Sequence, residues 1–269
     1  AEGFPGASGL SGSLEGDERA GTIRLASRGV SFNAARVFAA PLVFDSLDAR
    51  AAWKRDDKGI EVRIEEARVA NAEADVSFAG TYRTLPGSPE NSPGWVELAG
   101  QVARARAPAV ARYLPNGIAT TREWLGKAVL AGDVSRGRFE LKGDLWHFPF
   151  RDGSPGRFFV EAAIEGGRLQ YHPAWPSVDR VKGEIRFENA RMEIRAQEAF
   201  IYASRARSAS AVVADLGAET PMLRIEGDID TSGADSVRFL RETPLVDGPG
   251  AFTRAVAIEG PARLKLKLD

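Results

Sequence analysis

Alternation of apolar and polar residues with period two runs through most of this chain, and it limits the fold to strands with one buried and one wet face. In "IEVRI", Ile60, Val62 and Ile64 face one way while Glu61 and Arg63 face the other. "RFELKG" sets Phe139 and Leu141 against Arg138, Glu140 and Lys142, and "RFFVEAAI" places Phe158, Val160, Ala162 and Ile164 together. Ile185 and Phe187 alternate in "GEIRFE", Met192 and Ile194 in "RMEIRA", and Leu223, Ile225 and Ile229 in "LRIEGDID". The last run, "RLKLKLD", sets Leu264, Leu266 and Leu268 against lysines. Stretches rich in Gly and Pro, such as "LPGSPENSPGW" and "RDGSPGR", punctuate the runs as connections. About fourteen strands are predicted at about 5–6 residues each.

Helical signals are few. "ATTREWLGKAVLAG" offers a capping box from Thr120 to Glu123, then Trp124, Leu125, Ala128 and Val129 at helical spacing, with Gly132 as a stop. "PAVARYLP" and "ADSVRFLRE" add two turns each. Three short helices cannot cover the apolar face of so many strands. The strands must therefore close on each other as a sandwich or barrel, or curve around something apolar that is not protein.

The chain also repeats itself. "GIEVRIEEARV" (59–69) aligns with "RMEIRAQEAFI" (191–201), and upstream Asp45, Leu47 and Trp53 align with Asp179, Val181 and Phe187. "LEGD", "LKGD" and "IEGD" recur, as do "ARYL" and "VRFL". A stacked unit of strands with a small helical insert follows, as in a solenoid. The expected division is a first β repeat over 1–103, a helical insert over 104–132, a second β repeat over 133–231, and over 232–269 a second insert with the first strand of a further repeat. Because the alternation of the final strand is still running where the sequence stops, the chain is read as part of something longer.

Little in the sequence points to catalysis. With 36 basic and 37 acidic residues the net charge is -1, which gives no basic stripe for nucleic acid. The absence of cysteine excludes disulfides and thiolate metal sites. No run approaches the roughly 18 apolar residues of a membrane span. Asp45 and Asp179, one per repeat, read as turn or capping residues rather than paired catalytic carboxylates. "DIDTSG" (228–233) starts like a calcium loop, but Phe239 stands where the bidentate glutamate belongs, so the match fails. His147 and His172 sit in aromatic, Pro-rich settings with no Ser or Cys motif beside them. No enzyme, no cofactor and no metal are expected.

"LWHFPF" (145–150) stands apart from the alternation. Leu145 continues the phase of Phe139 and Leu141 and should point inward. Proline at 149 keeps Phe148 out of the helical region and cannot donate to a ladder, so the chain should leave the sheet in an extended form. Phe148 and Phe150 then share a side and wedge into the interior, while Trp146 lies on the outer or rim side.

The second copy carries a longer signature. "YLPNGIATTREWLGKAVLAGDVSRGRFELKGDLWHFPF", followed by "GRFFVEAAIEGGRLQYHPAWPSVDRVKGEIRFENARMEI", strongly resembles the YhdP family of AsmA-like proteins. The shared residues include Tyr113-Leu114-Pro115, Trp124-Leu125, Gly143-Asp144-Leu145, Phe148-Pro149-Phe150, Phe159-Val160, Tyr171 and Trp175-Pro176. The segments before and after fit the same family, so the resemblance covers nearly the whole chain.

That resemblance implies a mainly β fold: a strongly curved, elongated antiparallel sheet forming an open apolar groove, with a few short helices. It implies a periplasmic segment of an inner-membrane-anchored envelope protein, with the anchor outside this chain and an outer-membrane-side partner unknown. The implied role is carriage of phospholipid between the two membranes, with acyl chains as the ligand. The track would be lined by Phe139, Leu141, Leu145, Phe148, Phe150, Phe158, Val160, Ile164, Leu169, Tyr171, Ile185, Phe187, Met192, Ile194, Leu223, Ile225 and Ile229. A structural or adhesive β-solenoid without cargo, its apolar faces packed on each other, is the alternative.

Overall fold

The computed structural model describes residues 6–87, 92–151, 153–248, 251 and 256–268. Fourteen strands form one antiparallel sheet, and the order in the sheet follows the order in the chain. They are β1 (Gly6–Ser8), β2 (Gly12–Gly16), β3 (Ala20–Asn33), β4 (Leu42–Asp56), β5 (Gly59–Ala70), β6 (Ala74–Arg83) and β7 (Trp95–Arg106). After them come β8 (Val129–Asp144), β9 (Gly156–Leu169), β10 (Val178–Glu188), β11 (Arg191–Ile201), β12 (Ser204–Val213), β13 (Leu223–Ser232) and β14 (Pro261–Leu268). Both β1 and β2 pair with β3, and from there each strand pairs with the next as far as β14. The sheet is open: its path ends on β1 and β14, which do not pair with each other. Neither sandwich nor barrel is formed. At about 4.8 Å per step, the twelve steps from β1 to β14 span roughly 58 Å.

A single-layer sheet cannot bury its apolar face against itself. The accessible surface is 16445 Å², against about 11,400 Å² for a compact monomer of 29.0 kDa. The excess is the uncovered sheet.

Two features bend the sheet. Register shifts interrupt the ladders β4–β5, β5–β6, β6–β7, β8–β9, β9–β10, β10–β11 and β12–β13, and an inserted residue bends and twists its strand. The consecutive polar pairs Glu65-Glu66 and Gln197-Glu198 fall at two of these shifts, at matching places in β5 and β11. Glycines also let large rings lie flat on the sheet. A Cβ on Gly100 would stand 2.5 Å from the Phe139 ring, and one on Gly156 would stand 2.2 Å from the ring of Phe150.

Apart from the 3₁₀ turn Leu145–His147, the helical pieces lie at one end of the strands. A 3₁₀ segment covers Ala107–Tyr113, α1 is Ala119–Ala128, and α2 is Gly233–Arg241. The order of four strands, a helical piece and a further strand occurs twice, as β4–β7 leading to β8 and as β10–β13 leading to β14. Several local expectations need correction. α1 begins one residue before Thr120, with Ile118 at the N-cap and no side-chain cap, because Pro115 and the 3₁₀ turn Asn116–Ile118 already set the chain's entry. It ends at Ala128 rather than at Gly132. Val129 and Gly132 belong to β8, where ladder bonds to β9 outweigh a further helical turn. Asp45 and Asp179 lie within β4 and β10 rather than at turns or caps; Asp179 pairs with Arg168 at 2.9 Å. The connection "LPGSPENSPGW" includes residues 88–91, which lie outside the described residues.

Gly156→Ala should lower stability by about 1–3 kcal/mol, since the new methyl overlaps a packed ring rather than a mobile side-chain tip. Urea unfolding followed by circular dichroism measures this, with an unchanged midpoint counting against the packing described.

Candidate functional site: an apolar sheet face with one walled rim

Residues directly opposite one another on antiparallel strands point to the same side of the sheet. Register therefore traces rows of side chains across the whole molecule. One row runs Leu25, Ala49, Ala67, Phe78, Gly100, Phe139, Val160, Phe187, Met192, Val213, Leu223. Beside it runs Leu47, Val69, Val76, Val102, Gly137, Ala162, Ile185, Ile194, Ala211, Ile225, Leu268. A third row joins Leu14, Ile23, Ala51, Ile64, Gly80, Leu98, Leu141 and Phe158. Every residue in these rows is apolar or glycine. Most of the larger ones, including Phe78, Leu98, Phe139, Phe158, Ile185 and Phe187, are only half-buried, because no second layer lies over them.

The structure thus brings together Phe139, Leu141, Phe158, Val160, Ile185, Phe187, Met192, Ile194, Leu223 and Ile225. Ile164 joins the same face opposite Val134 and Gly183, and Ile229 lies opposite Ala206 and Leu264. Leu169 is half-buried at the end of β9, beyond the register shifts, opposite Val129 and Val178. Tyr171 follows in the β9–β10 connection. The face also extends through Ile23, Leu25, Ile64, Phe78 and Leu98, outside the lining expected from the sequence, although the same alternation runs there.

The other side of the sheet is charged. Its rows include Glu97, Lys142 and Arg157, and Arg138, Glu161, Arg186 and Glu193. Cross-strand ion pairs lace it: Lys142 with Glu97 at 2.9 Å, Arg138 with Glu161 at 2.9 Å, and Arg157 with Glu140 at 3.2 Å. Such exposed pairs contribute about 0–1 kcal/mol each; they mainly keep this face wet. Aromatic residues on this side lie under cations: Trp95 under Arg83, Phe200 under Arg180, and, most deeply, Phe159. It is 2% exposed beneath the guanidinium groups of Arg138, Arg157 and Arg186, each 5.0–5.1 Å from its ring centre.

Helical pieces wall one rim of the sheet by reaching back over strand ends. Arg112 Nη1 donates to Glu73 in the β5–β6 turn at 2.6 Å, and the Tyr113 hydroxyl donates to the same carboxylate at 3.1 Å while accepting from Asn71 Nδ2 at 2.9 Å. Farther back, the Asn116 amide and side chain donate to the carbonyls of Val37 (2.6 Å) and Ala35 (3.1 Å) in the β3–β4 connection. The second insert repeats the device with the roles exchanged. There the tyrosine belongs to the turn: Tyr202 donates to Glu242 at 2.6 Å, and Arg238 both pairs with Glu242 at 2.9 Å and lies 3.9 Å over the Tyr202 ring. The two walls meet through aromatics. Trp124, 40% exposed, donates its Nε1 to the Tyr171 carbonyl at 3.3 Å, Tyr171 lies 6.2 Å from Trp175, and Trp175 lies 5.8 Å from Phe239 of α2.

At the opposite rim, "LWHFPF" folds differently from the extended exit expected for it. Asp144 accepts from the Trp146 amide at 2.9 Å and starts a 3₁₀ turn over Leu145–His147. Leu145 is therefore half-buried in the turn, its amide bonded to the Gly94 carbonyl at 3.0 Å, rather than continuing the strand. The turn brings Phe148 and Phe150 back onto the apolar face. Phe150, 2% exposed, lies over Gly143 and Gly156, and Phe148 meets the ring of Phe158 edge-on at 5.1 Å. Trp146 is 56% exposed. His147 and His172 are both exposed and far apart in sequence, and His172 Nδ1 accepts from the Ala174 amide at 3.1 Å. Among the described residues, no three acidic or histidine side chains gather as metal ligands, and no helix is long and apolar enough to cross a membrane.

Two measurements check this geometry. Phe150→Ala should cost about 3–5 kcal/mol, whereas His147→Gln should stay within about 0.5 kcal/mol; thermal unfolding compares them. Burial raises the pKa of Tyr113, and it pushes Tyr171 and Tyr202 up to about 12, Tyr202 with help from its bond to Glu242. A raised folded-state value means that stability from these groups is intact below pH 10 and is lost as pH rises toward 12. Phenolate absorbance of these three residues and unfolding should therefore rise together in that window, and ionisation of Tyr113, Tyr171 or Tyr202 at pH 10 in the intact fold would contradict the walls.

Among curated proteins and among solved structures, nothing matches the chain. A family model described as "YhdP protein" matches residues 1–269. With that match over its whole length, beside the long open sheet and its repeated helical wall, the chain belongs to the YhdP family.

Proposed function

We propose that this chain is a stretch of a lipid conduit in the bacterial envelope, with phospholipid acyl chains lying on the apolar face. One observation carries the reading: an apolar surface runs without interruption from β2 to β14 on a sheet that has no second layer to cover it. An acyl chain of 16 carbons costs on the order of 13 kcal/mol to expose to water, at ~0.8 kcal/mol per methylene. A track that relieves this cost must be continuous, since any polar interruption is a barrier. The face meets that requirement over roughly 58 Å. Membership of the YhdP family suggests a lipid-transport-related role in the periplasmic envelope, and we extend it to phospholipid moving between inner and outer membranes. Anchoring in the inner membrane and a partner at the outer membrane belong to the same proposal.

A cargo-free scaffold is the less favoured reading. It needs its apolar faces packed on each other, and among the described residues no second sheet lies against this one.

Organic extraction of the purified protein, followed by mass spectrometry, tests the conduit. Co-purifying phospholipid is the expected result, and a delipidated, correctly folded protein that takes up none from vesicles would refute it. Val160→Asp and Ile185→Asp each put an uncompensated charge in the track. They should reduce bound lipid at least tenfold while the folded far-ultraviolet spectrum persists.

A further inference from the structure

One connection folds back over the apolar face. The β8–β9 connection turns back over the sheet through Phe148 and Phe150 instead of closing as a tight hairpin. The β2–β3 turn at the same rim is short by comparison: Asp17 Oδ1 accepts from the amides of Arg19 and Ala20 at 2.8 and 2.9 Å, and β3 begins at once. The longer connection is fixed at both ends. Asp144 caps its first turn, and Arg151 pairs with Asp215 of the β12–β13 connection. In between, its two phenylalanines are held differently. Phe150 fills the space left by Gly143 and Gly156 and is removed from solvent. Phe148 is half-buried and rests edge-on against two other rings, Phe150 at 6.1 Å and Phe158 at 5.1 Å. Through Phe158 it touches the row that also holds Leu141, on the face that continues to either side. Across the sheet, α1 walls the other rim of the same strands.

We propose that Phe148 is a threshold in the track, a positioning residue that acyl chains touch as they pass between the β3–β7 and β10–β14 halves of the face, and that it limits the bulk of lipid admitted. Phe150 anchors the loop; Phe148 is the part presented to cargo. The inference rests on the conduit reading above and adds to it where, and by which side chain, the lipid is gauged. Edge-on aromatic contacts are individually weak, so the Phe148 ring can tilt without unfolding the loop that Phe150 secures.

Photocrosslinking separates the threshold from the conduit. A benzophenone side chain is placed at position 78 on the apolar face, at 148, or at 159 on the charged face, and the protein is exposed to vesicles of dioleoyl phosphatidylglycerol. Lipid adducts at 78 and 148 but not at 159 are expected. Adducts at 78 without any at 148 overturn the threshold and leave the conduit standing, whereas none at 78 overturns both. A second measurement reads selectivity and does not need the crosslinker. Protein is incubated with vesicles of equimolar dioleoyl phosphatidylglycerol and tetraoleoyl cardiolipin, then re-isolated and its lipid quantified. Phe148→Ala should raise the ratio of bound four-chain to two-chain lipid at least threefold, and Phe148→Leu should lie between it and the parent. An unchanged ratio in the folded variants overturns the proposal.

Discussion

Everything in this molecule hangs on the backbone ladder. A globular domain is held together by opposed layers sharing an apolar core, but here each strand is secured mainly by its two neighbours through hydrogen bonds and same-side packing. Among the described residues sixteen apolar side chains are buried, and many are small or lie at the rims, such as Ala34, Leu42, Ala74 and Ala128. The wide middle of the sheet stays half-exposed. Water is kept from the ladder's own polar groups by the strands themselves, and the charged face stays hydrated by its ion pairs. An uncovered apolar surface of this extent is unusual in a protein that merely needs to be stable, and it is the property from which the functional reading follows.

The walls solve a problem that the ladder cannot. Strand ends leave unpaired carbonyls and amides, and an open rim would let the sheet fray. Arg112, Tyr113 and Asn116 reach back over several strand ends and tie them together, and Arg238 and Glu242 do so for the second set. That the same Tyr, Glu and Arg chemistry appears twice, with the tyrosine once on the insert and once on the turn, points to a requirement for the tie itself rather than for any one residue at any one position.

Much of this was legible in the sequence. Alternation in "RFELKG", "RFFVEAAI" and "GEIRFE" placed Phe139, Val160 and Phe187 on one face, and register put them in one row. The similarity of 59–69 to 191–201 corresponds to β5 and β11, down to the shift at Glu65-Glu66 and Gln197-Glu198. What alternation could not supply was anything decided by distant partners. The exit of "LWHFPF" depends on Asp144 capping a turn and on two glycines, 143 and 156, opening a seat for Phe150. Likewise, Thr120 reads as a cap only until Pro115 and the turn after it fix where α1 begins. Asp179 looked like a turn residue because its partner, Arg168, lies on the neighbouring strand.

The direction in which the inserts reach has a bearing on how the chain is made. Asn116 binds Ala35 and Val37, Tyr113 binds Asn71 and Glu73, and Phe239 packs on Trp175; in each case the partner has been synthesised first. A nascent chain can therefore finish and lock each set of strands as it emerges, with its newest strand as the template for the next. A smaller set of contacts looks forward: Trp124 donates to the carbonyl of Tyr171, the Ala128 carbonyl accepts from the Gln170 amide, and Arg241 donates to the carbonyl of Val256. The seam between successive walls closes only when the following unit arrives, so a growing sheet is sealed behind its advancing edge and left open at it.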